Sequence, residues 1–334
     1  MKISLLCTLT LLLFSTCTEN KPAPYRKITG MTQGTTYHIT YEDKIDQDFT
    51  VSVDSILKIL DLTFSAYIPN SIVSRINRND STVLLNDMFI EVFNKSLEIN
   101  KETNGALDLT VGPLVNAWGF GPEKKVKMDS TKIDSLLQYV GMQKVRISGQ
   151  KLVKDLPGIK IDVNSIAQGY SVDVLYRYFE QMGIKNFMVE IGGEVRTKGK
   201  NPQGDKWRIG VDKPSDGESI PGQNLQTVIF LDNKAITTSG NYRKYFEENG
   251  RKYSHIIDPH TGYPYKNNLL SVTIIAKDAL TADGYDTPLM VLGLEGAQAV
   301  LDRHPELAAY MIYSDQYGQY QVKFTKGIEF DKEN

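Results

Sequence analysis

Cysteine is almost missing from this sequence. Among its 334 residues only Cys7 and Cys17 are cysteines, so the stretch from Thr18 to Asn334 contains no thiol. Disulfide bonds, a cysteine nucleophile and thiolate metal ligands are therefore excluded from that stretch. Any reactive or metal-binding side chain there has to offer oxygen or imidazole nitrogen.

An excess of charge of one sign is missing as well. The formal net charge is −2 at pH 7, with 23% charged and 41% apolar residues. This balance is typical of an ordinary globular protein that buries a full core. Because the chain has no polybasic character, nucleic acid is not expected as a partner.

Long hydrophobic runs are scarce, and the main one lies at the N-terminus. The segment MKISLLCTLTLLLFSTC carries one positive charge, then a short apolar run, then small polar residues before Cys17. It is too short to cross a membrane comfortably and is typical of an export signal. We therefore predict a signal peptide at residues 1–16 and an extracytoplasmic protein.

Cys17 stands at the end of this export segment, which resembles the bacterial lipoprotein signal, in which the cysteine is lipidated. Phe14 and Thr16 depart from that pattern, because Leu and then Gly or Ala are more usual at these positions. The alternative is a plain secretory signal that is cut nearby. The lipoprotein interpretation predicts a lipid anchor on Cys17 that holds the protein to a bacterial membrane, on the periplasmic side.

The rest of the chain predicts one α+β domain. Residues 17–27 are polar and contain prolines, which indicates a flexible tether, and the domain is expected at 28–330. No repeat, low-complexity block or internal linker divides it. We expect mixed or antiparallel sheets with packed helices, and the pattern leaves open a division into two lobes.

Periodicity places the main elements. Helices are predicted from about Asp54, up to Asn104-Gly105, over 130–140, and from a turn at Asn164 to Gly183. Strands are predicted at 34–41, 186–193, 227–231 and 271–276, followed by a C-terminal hairpin that turns near Gly318.

The segment TADGYDTP is the first candidate for chemistry. In a helix, Asp283, Asp286 and Thr287 at i, i+3 and i+4 would share one face. Oxygen donors of this kind suit Mg²⁺ or Ca²⁺ and not zinc. A structural alternative is a capped helix start, with the N-cap at Thr281, or at Thr287 with Pro288 as the first helical residue. The spacing alone leaves both readings open.

The histidines offer a second candidate. His38, His255, His260 and His304 show no spacing typical of a zinc site. We expect His304 to be a cap or surface residue and His38 to be a packed or exposed ring in a strand. His255 lies in SHIIDPHTGYP, where a histidine, an aspartate and a threonine are close together, although ordinary turn chemistry also explains that loop. No P-loop is present, and no GxGxxG leads from a strand into a helix.

Eight segments, in order and over nearly the whole domain, resemble the ApbE-type flavin transferases, the FAD:protein FMN transferases. They are MTQGTTY (31–37), SAYIPNSIVSRIN (65–77), TNGALDLTVGPLVNAWGFG (103–121), IDVNSIAQGYSVD (161–173), VEIGGEVRTKG (189–199), ITTSGNYRKYF (236–246), HIIDPHTGYP (255–264) and TADGYDT (281–287). The resemblance implies a single ApbE-type, T-fold-like catalytic domain.

It also implies a reaction. Members of the family are extracytoplasmic, Mg²⁺-dependent enzymes that split FAD and attach FMN through a phosphoester to a threonine hydroxyl of an acceptor protein, releasing AMP. Such phosphoryl transfer needs charge neutralisation and in-line positioning of the attacking oxygen. Two alternatives stay open: an FAD pyrophosphatase that gives FMN and AMP, and a flavin-binding lipoprotein without catalysis. The acceptor is expected to be an exported or membrane redox subunit.

The resemblance assigns roles to individual positions. Mg²⁺ would be bound by the side chains of Asp283 and Thr287 and by the carbonyl of Ser165. His255 would be the general base toward the incoming hydroxyl, a role that suits an imidazole. FAD would be contacted by Met31, Tyr67, Ala106, Leu107, Asp108, Asp162, Gln168, Ile257 and Asp286.

Some of these positions depart from the family pattern. Gln168 stands where many members carry Lys, which removes a positive charge near the phosphates. Ser165 replaces a more usual Gly or Ala, which a carbonyl ligand tolerates. Gly284 and Pro288 replace small helix formers, so a kink behind Asp283 is expected.

Overall fold

A computed structural model describes residues 24–44, 46–214, 224–242, 245–248 and 250–331. The predicted signal peptide, the lipidation of Cys17 and most of the tether lie outside these residues. Among the helices of the described part, none is both long and apolar enough to span a membrane.

Strands and helices alternate irregularly along the described chain. The strands are β1 (Tyr25–Thr32), β2 (Thr35–Glu42), β3 (Val145–Ser148), β4 (Lys151–Lys154), β5 (Phe187–Ile191), β6 (Glu194–Lys198), β7 (Trp207–Asp212), β8 (Leu225–Leu231), β9 (Ala235–Gly240), β10 (Tyr245–Glu248), β11 (Arg251–Ser254), β12 (Leu269–Ala276), β13 (Ala308–Ser314) and β14 (Tyr320–Phe324). The helices are α1 (Thr50–Phe64), α2 (Ile72–Asn77), α3 (Asp87–Glu102), α4 (Gly112–Trp118), α5 (Ser130–Leu137), α6 (Ala167–Gln181) and α7 (Ala279–Leu301).

One large sheet organises the fold. Its eight strands run in the order β1-β2-β5-β6-β9-β12-β13-β14, and every neighbouring pair is antiparallel. The pairs β3-β4, β7-β8 and β10-β11 form separate hairpins. The prediction of an α+β domain with antiparallel sheets and packed helices is confirmed.

The centre of the large sheet is buried on both faces, whereas its edge strand β14 is mostly exposed. On one face α6 and α7 pack against it, and Val272 and Ile274 of β12 belong to that core. On the other face the β7-β8 hairpin covers it, and Ile275 packs there with Trp207. Successive residues of a strand point to opposite faces, which explains why β12 is buried at almost every position.

Most predicted boundaries differ from the observed ones by a few residues, and three of the differences have a visible cause. The first strand begins at Tyr25, so residues 25–27, which fall within the predicted tether 17–27, form part of a strand. The first helix begins at Thr50 instead of Asp54, since Asp48 accepts the Thr50 amide at 2.9 Å. Helix α5 ends at Leu137 instead of 140, because the next amides close tight turns onto carbonyls three residues back.

Candidate functional site

The segment TADGYDTP lies inside α7, and both predicted N-caps are wrong. Helix α7 starts at Ala279, and its N-cap is Asp278, whose carboxylate accepts the Thr281 amide at 2.8 Å. Pro288 lies within the helix and is not its first residue. The Asp278 carboxylate accepts the otherwise free amide of Thr281. The helix therefore starts before both of the predicted N-caps, Thr281 and Thr287.

The expected kink behind Asp283 is absent as well. The dihedral angles stay helical through Pro288, and the break comes at Gly293, with φ 71°. There the side-chain amide of Asn267 donates to the carbonyl of Met290 at 2.8 Å. Proline removes one amide donor from a helix, yet the face that carries Asp283 keeps its helical geometry.

Asp283, Asp286 and Thr287 do share one face, and that face is directed inward. Asp283 and Asp286 are only 5% and 2% exposed. Asp283 Oδ2 accepts the amide of Gly169 in α6 at 2.7 Å, and the Thr287 hydroxyl donates to Ser239 Oγ of β9 at 3.2 Å. The three side chains therefore lie where α6, α7 and β9 meet.

Burial makes this face electrostatically unfavourable when it holds no cation. It raises the pKa of Asp283 from the usual 3.8 to about 7, and the negative charge of Asp173 acts in the same direction. Burial, followed by the charge of Asp283, raises the pKa of Asp286 well above 3.8. Two adjacent buried carboxylates of this kind need a positive partner to stay ionised.

The donor set fits a hard divalent cation. In the part of the chain that the structure describes, no group of three or more His, Cys, Asp and Glu side chains is placed to hold a metal. The available atoms are instead carboxylate and hydroxyl oxygens of α7. Mg²⁺ commonly uses one or two protein carboxylates and takes its remaining ligands from water and substrate phosphates.

The carbonyl of Ser165, the third predicted ligand, lacks the hydrogen bond that a regular helix would give it. In the first turn of α6 the Ala167 amide bonds Val163 and the Tyr170 amide bonds Ile166. The Gly169 amide, which a regular helix would direct at Ser165, donates to Asp283 instead. Among the described residues no hydrogen bond to the Ser165 carbonyl replaces it, so this oxygen is available as a ligand.

The raised pKa of Asp283 predicts how the metal-free protein responds to pH. Between the usual pKa of 3.8 and about 7 the folded state holds a proton that the unfolded state has released. Stability therefore falls as pH rises through this window. We expect Asp283→Asn to remove this contribution, so that in EDTA the variant gains stability over the wild type between about pH 5 and about pH 8. Urea unfolding of both proteins at the two pH values measures the difference in unfolding free energy between variant and wild type. If this difference is the same at both pH values, the raised pKa of Asp283 is contradicted.

Gly169 lies at the closest approach of α6 and α7. A Cβ on Gly169 would lie 2.3 Å from the Ala279 carbonyl oxygen and 2.6 Å from Asp283 Cβ. Overpacking costs about 1–3 kcal/mol, which exceeds the gain of up to about 1 kcal/mol from replacing a helical glycine. We expect Gly169→Ala to lower the urea midpoint, while Gln181→Ala on the exposed side of α6 leaves it nearly unchanged. A Gly169→Ala variant as stable as the wild type would show that the helices can separate freely.

A second group of predicted residues surrounds Phe120. The Tyr67 hydroxyl donates to the Phe120 carbonyl at 3.2 Å, and the ring centroids of Phe120 and His255 are 6.3 Å apart. Burial, and then the charge of Asp162, raises the pKa of Tyr67. Asp162 lines a cavity together with polar residues of α2 and α4. Ile257 is 6% exposed and belongs to the core beneath this group.

Met31 of β1 and Gln168 of α6 belong to a third group, which lies beside the turn between β5 and β6. Met31 pairs with Thr36, whose carbonyl accepts the Gly192 amide at 3.0 Å. A Cβ on Gly192 would lie 2.3 Å from Gln168 Nε2, so the neutral Gln168 side chain rests against this glycine. Met31 itself is 73% exposed. The turn between β5 and β6 thus lies beside the start of α6.

The block Ala106, Leu107 and Asp108 offers its backbone and not its side chains. Ala106 and Leu107 are buried in the core. The Asp108 carboxylate accepts the Thr110 amide at 2.7 Å and the Met142 amide at 3.1 Å, so it is already engaged within the fold. A nucleotide contact by this block would have to come from its main chain.

Several residues that hold these groups together were not predicted from the sequence. His260 bonds the Asn104 carbonyl at 2.7 Å and links the His255 loop to the 103–108 block. Asp173 and Arg196 form a buried ion pair behind the acidic face. Both lie in segments that carried the family resemblance, which was the available signal. The other two histidines are paired with acids: His38 with Glu190, and His304 with acids that include Glu306.

The fold is that of solved flavin transferases. The structure matches that of "Flavin Transferase ApbE from Vibrio cholerae" with a TM-score of 0.82 and 37% identity, over 91% of this chain and 98% of that one. It also matches the apo form of a Pseudomonas stutzeri flavinyl transferase ApbE with a TM-score of 0.79 and 34% identity, over 91% and 95% of the two chains.

Sequence comparisons identify the family itself. The model of the ApbE family matches residues 33–311. The FAD:protein FMN transferase of Haemophilus influenzae is 40% identical over 307 residues, which is 87% of each chain. The chain belongs to the ApbE family, and the resemblance found in the eight segments is confirmed.

Proposed function

We propose that this chain is an FAD:protein FMN transferase that requires Mg²⁺ and modifies a threonine of an acceptor protein. The observation that carries the proposal is the buried face of Asp283, Asp286 and Thr287 where α6, α7 and β9 meet. Relatives that bear this name cover most of the chain. Two buried carboxylates on one face can bind a cation, and that cation can in turn bind the phosphates of a ligand.

The residues divide the work as follows. Asp283 and Thr287, with the Ser165 carbonyl, would hold Mg²⁺, which supplies positive charge next to the pyrophosphate of FAD. Asp286 would contact the FAD. The aromatic and acidic groups around Phe120, including Tyr67 and Asp162, would bind the flavin or adenine side of FAD. Binding at both ends positions the pyrophosphate, and positioning contributes most of the catalysis in phosphoryl transfer.

The reaction balances without a redox partner. The threonine oxygen forms a new bond to the phosphorus of the FMN half, the anhydride P–O bond breaks, and AMP leaves with the bonding electron pair. His255 would accept the hydroxyl proton, since a general base has to lie within reach of the attacking oxygen. His255 is half-buried beside Phe120, where it borders the group formed with Tyr67.

The proposed location follows from the N-terminus. We infer that the signal at residues 1–16 exports the chain and that Cys17 carries a lipid anchor, which places the enzyme on the periplasmic side of a bacterial membrane. The apolar run and the cysteine that follows it support this proposal. An exported or membrane redox subunit with an accessible threonine would then be the acceptor.

The direct test combines the purified protein, FAD, MgCl₂ and a folded acceptor domain with a reactive threonine. We expect AMP and an acceptor that is heavier by one FMN, measured by chromatography and intact mass. The matched control is the same acceptor with that threonine replaced by valine, which removes the attacking oxygen at nearly constant volume.

The test separates the alternatives. Steady release of AMP and free FMN without any acceptor would identify a pyrophosphatase instead. FAD that binds and stays intact with the acceptor present would identify a binding protein. Transfer that proceeds equally well in EDTA would contradict the Mg²⁺ requirement alone.

A further inference from the structure

A buried ion pair lies directly behind the acidic face, and the chemistry above does not use it. Arg196 Nη1 of β6 is 2.6 Å from Asp173 Oδ1 of α6, and the two side chains are 14% and 4% exposed. The Arg196 guanidinium also stacks over the Tyr176 ring, 3.8 Å from its centroid. The pair joins the large sheet to the helix that approaches Asp283.

Asp173 also binds the first turn of α7. Its Oδ1 accepts the Ala279 amide at 2.9 Å, and its Oδ2 accepts the Leu280 amide at 2.8 Å. The first amides of a helix have no partner within that helix. A carboxylate of α6 therefore supplies the acceptors for the first two amides of α7 and draws the helix start against α6.

A second bond runs between the same helices in the opposite direction. The Gly169 amide of α6 donates to Asp283 Oδ2 of α7 at 2.7 Å. Gly169 and Asp173 are four residues apart on α6, and so are Ala279 and Asp283 on α7, which is about one turn on each helix. Two bonding points one turn apart set both the register and the rotation of α7 against α6.

We call these two bonding points the α6-α7 clasp: Asp173 with the amides of Ala279 and Leu280, and Asp283 with the amide of Gly169. The clasp determines which way the Asp283 carboxylate points. With Oδ2 bonded to Gly169, Oδ1 is the oxygen left for a ligand. If the Asp173 contact were lost, the first amides of α7 would lose their acceptors and the helix could slide or rotate. The oxygen of Asp283 would then shift relative to Thr287 and the Ser165 carbonyl.

Stability alone does not account well for this pair. Replacing a buried ion pair by apolar residues is often neutral or stabilising, because burying the charges costs as much as their attraction returns. In addition, Arg196 Nε is buried and lacks a hydrogen-bond partner among the described residues. The ion pair carries a desolvation cost and leaves the Arg196 Nε donor without a partner. In return, the Asp173 carboxylate holds β6, α6 and the start of α7 in a fixed arrangement.

We propose that Arg196 and Asp173 are positioning residues that act through the register of α7 to orient Asp283 toward Mg²⁺. The inference rests on the proposed magnesium-dependent function. Side chains that orient a metal ligand typically change metal affinity about 10–100-fold when they are replaced.

The experiment measures Mg²⁺ binding by thermal stabilisation of the purified chain, without substrate. The Mg²⁺ midpoint is defined here as the Kd obtained from the rise in stability with Mg²⁺ concentration. We expect Arg196→Met to raise this midpoint about tenfold, and Arg196→Lys, which keeps the charge, to raise it less. The KM for FAD at saturating Mg²⁺ should stay within about twofold, because the pair touches no FAD group in this assignment.

Arg177→Met is the matched control. Arg177 also extends from α6, pairs with an acid, Glu91, at 3.0 Å, and lies over a tyrosine ring, that of Tyr170, at 5.2 Å. It has no contact with α7 among its described partners, so its loss should leave the Mg²⁺ midpoint unchanged. A purely structural role of Arg196 predicts a lower melting temperature for Arg196→Met and no shift in its Mg²⁺ midpoint, whereas the exposed Arg177 pair contributes little to stability.

The outcomes separate this inference from the proposed function. A wild type that Mg²⁺ does not stabilise would overturn both. A normal wild-type response with the same midpoint in Arg196→Met would overturn the positioning role alone. If Arg196→Met does not fold, Asp173→Asn, which keeps the volume and one oxygen acceptor, is measured in the same way. Failure of both variants to fold would show a structural role and overturn the inference.

Discussion

Replacing Asp283 by alanine is expected to lower Mg²⁺-dependent AMP release about 10³-fold or more. The change removes one of two carboxylates on the buried face of α7 and with it a proposed ligand of the cation. Metal stabilisation of transition-state charge amounts to several kcal/mol, and each 1.36 kcal/mol is about a factor of ten in rate. Initial rates of AMP release over a range of Mg²⁺ concentrations measure the loss.

Two further variants keep this prediction interpretable. Asp283→Asn retains an oxygen that can accept the Gly169 amide, so a similar loss would show that the missing charge and not a misfolded helix is responsible. Glu295→Ala removes an exposed acid from α7 beyond the break at Gly293 and should leave the rate unchanged. Wild-type rates in Asp283→Ala would eliminate this residue as a ligand.

Replacing His255 by alanine is expected to reduce turnover about 10²–10⁴-fold, the usual contribution of a positioned general base. Because a base acts only as the hydroxyl is deprotonated, kcat should fall while the KM for FAD changes little. Initial rates of transfer to the acceptor threonine over a range of FAD concentrations measure both quantities.

His38→Ala is the appropriate control for this variant. His38 is an exposed imidazole of β2 that is paired with Glu190, and none of its described contacts is with Phe120 or Tyr67. Its loss should leave transfer within about twofold of the wild type. An equal loss in both variants, or none in His255→Ala, would show that the proton leaves by another route.

The spacing of residues within short segments correctly predicted the features that depend only on neighbouring residues. The i, i+3, i+4 spacing placed Asp283, Asp286 and Thr287 on one face, and the structure confirms that α7 holds them so. Helix ends were predicted less well, because several possible N-cap residues stand close together in the sequence. In α7 the N-cap is Asp278, and not Thr281 or Thr287. Gly293, and not Pro288, interrupts the helix, since its φ is the one that leaves the helical region.

The proposed ligand set is harder to derive from the residues one by one. The family resemblance named Ser165 as a carbonyl ligand, but a turn residue in the sequence carries no sign that its carbonyl is available. That depends on the Gly169 amide, which donates to a side chain 114 positions away. Whether the three oxygens hold a cation stays a prediction until the Mg²⁺ titrations above are made.

The order of residues along the chain was enough to establish the absence of thiols from the domain, the α+β class, the shared face of α7 and, through eight ordered segments, the family. These properties depend on composition, on periodicity and on motifs read within short segments. The clasp between α6 and α7, the pairing of Asp173 with Arg196 and the packing of His255 beside Phe120 were decided by the tertiary structure alone. Each joins groups far apart in the chain, and only the antiparallel order of the large sheet and the packing of helices on it bring those groups within bonding distance.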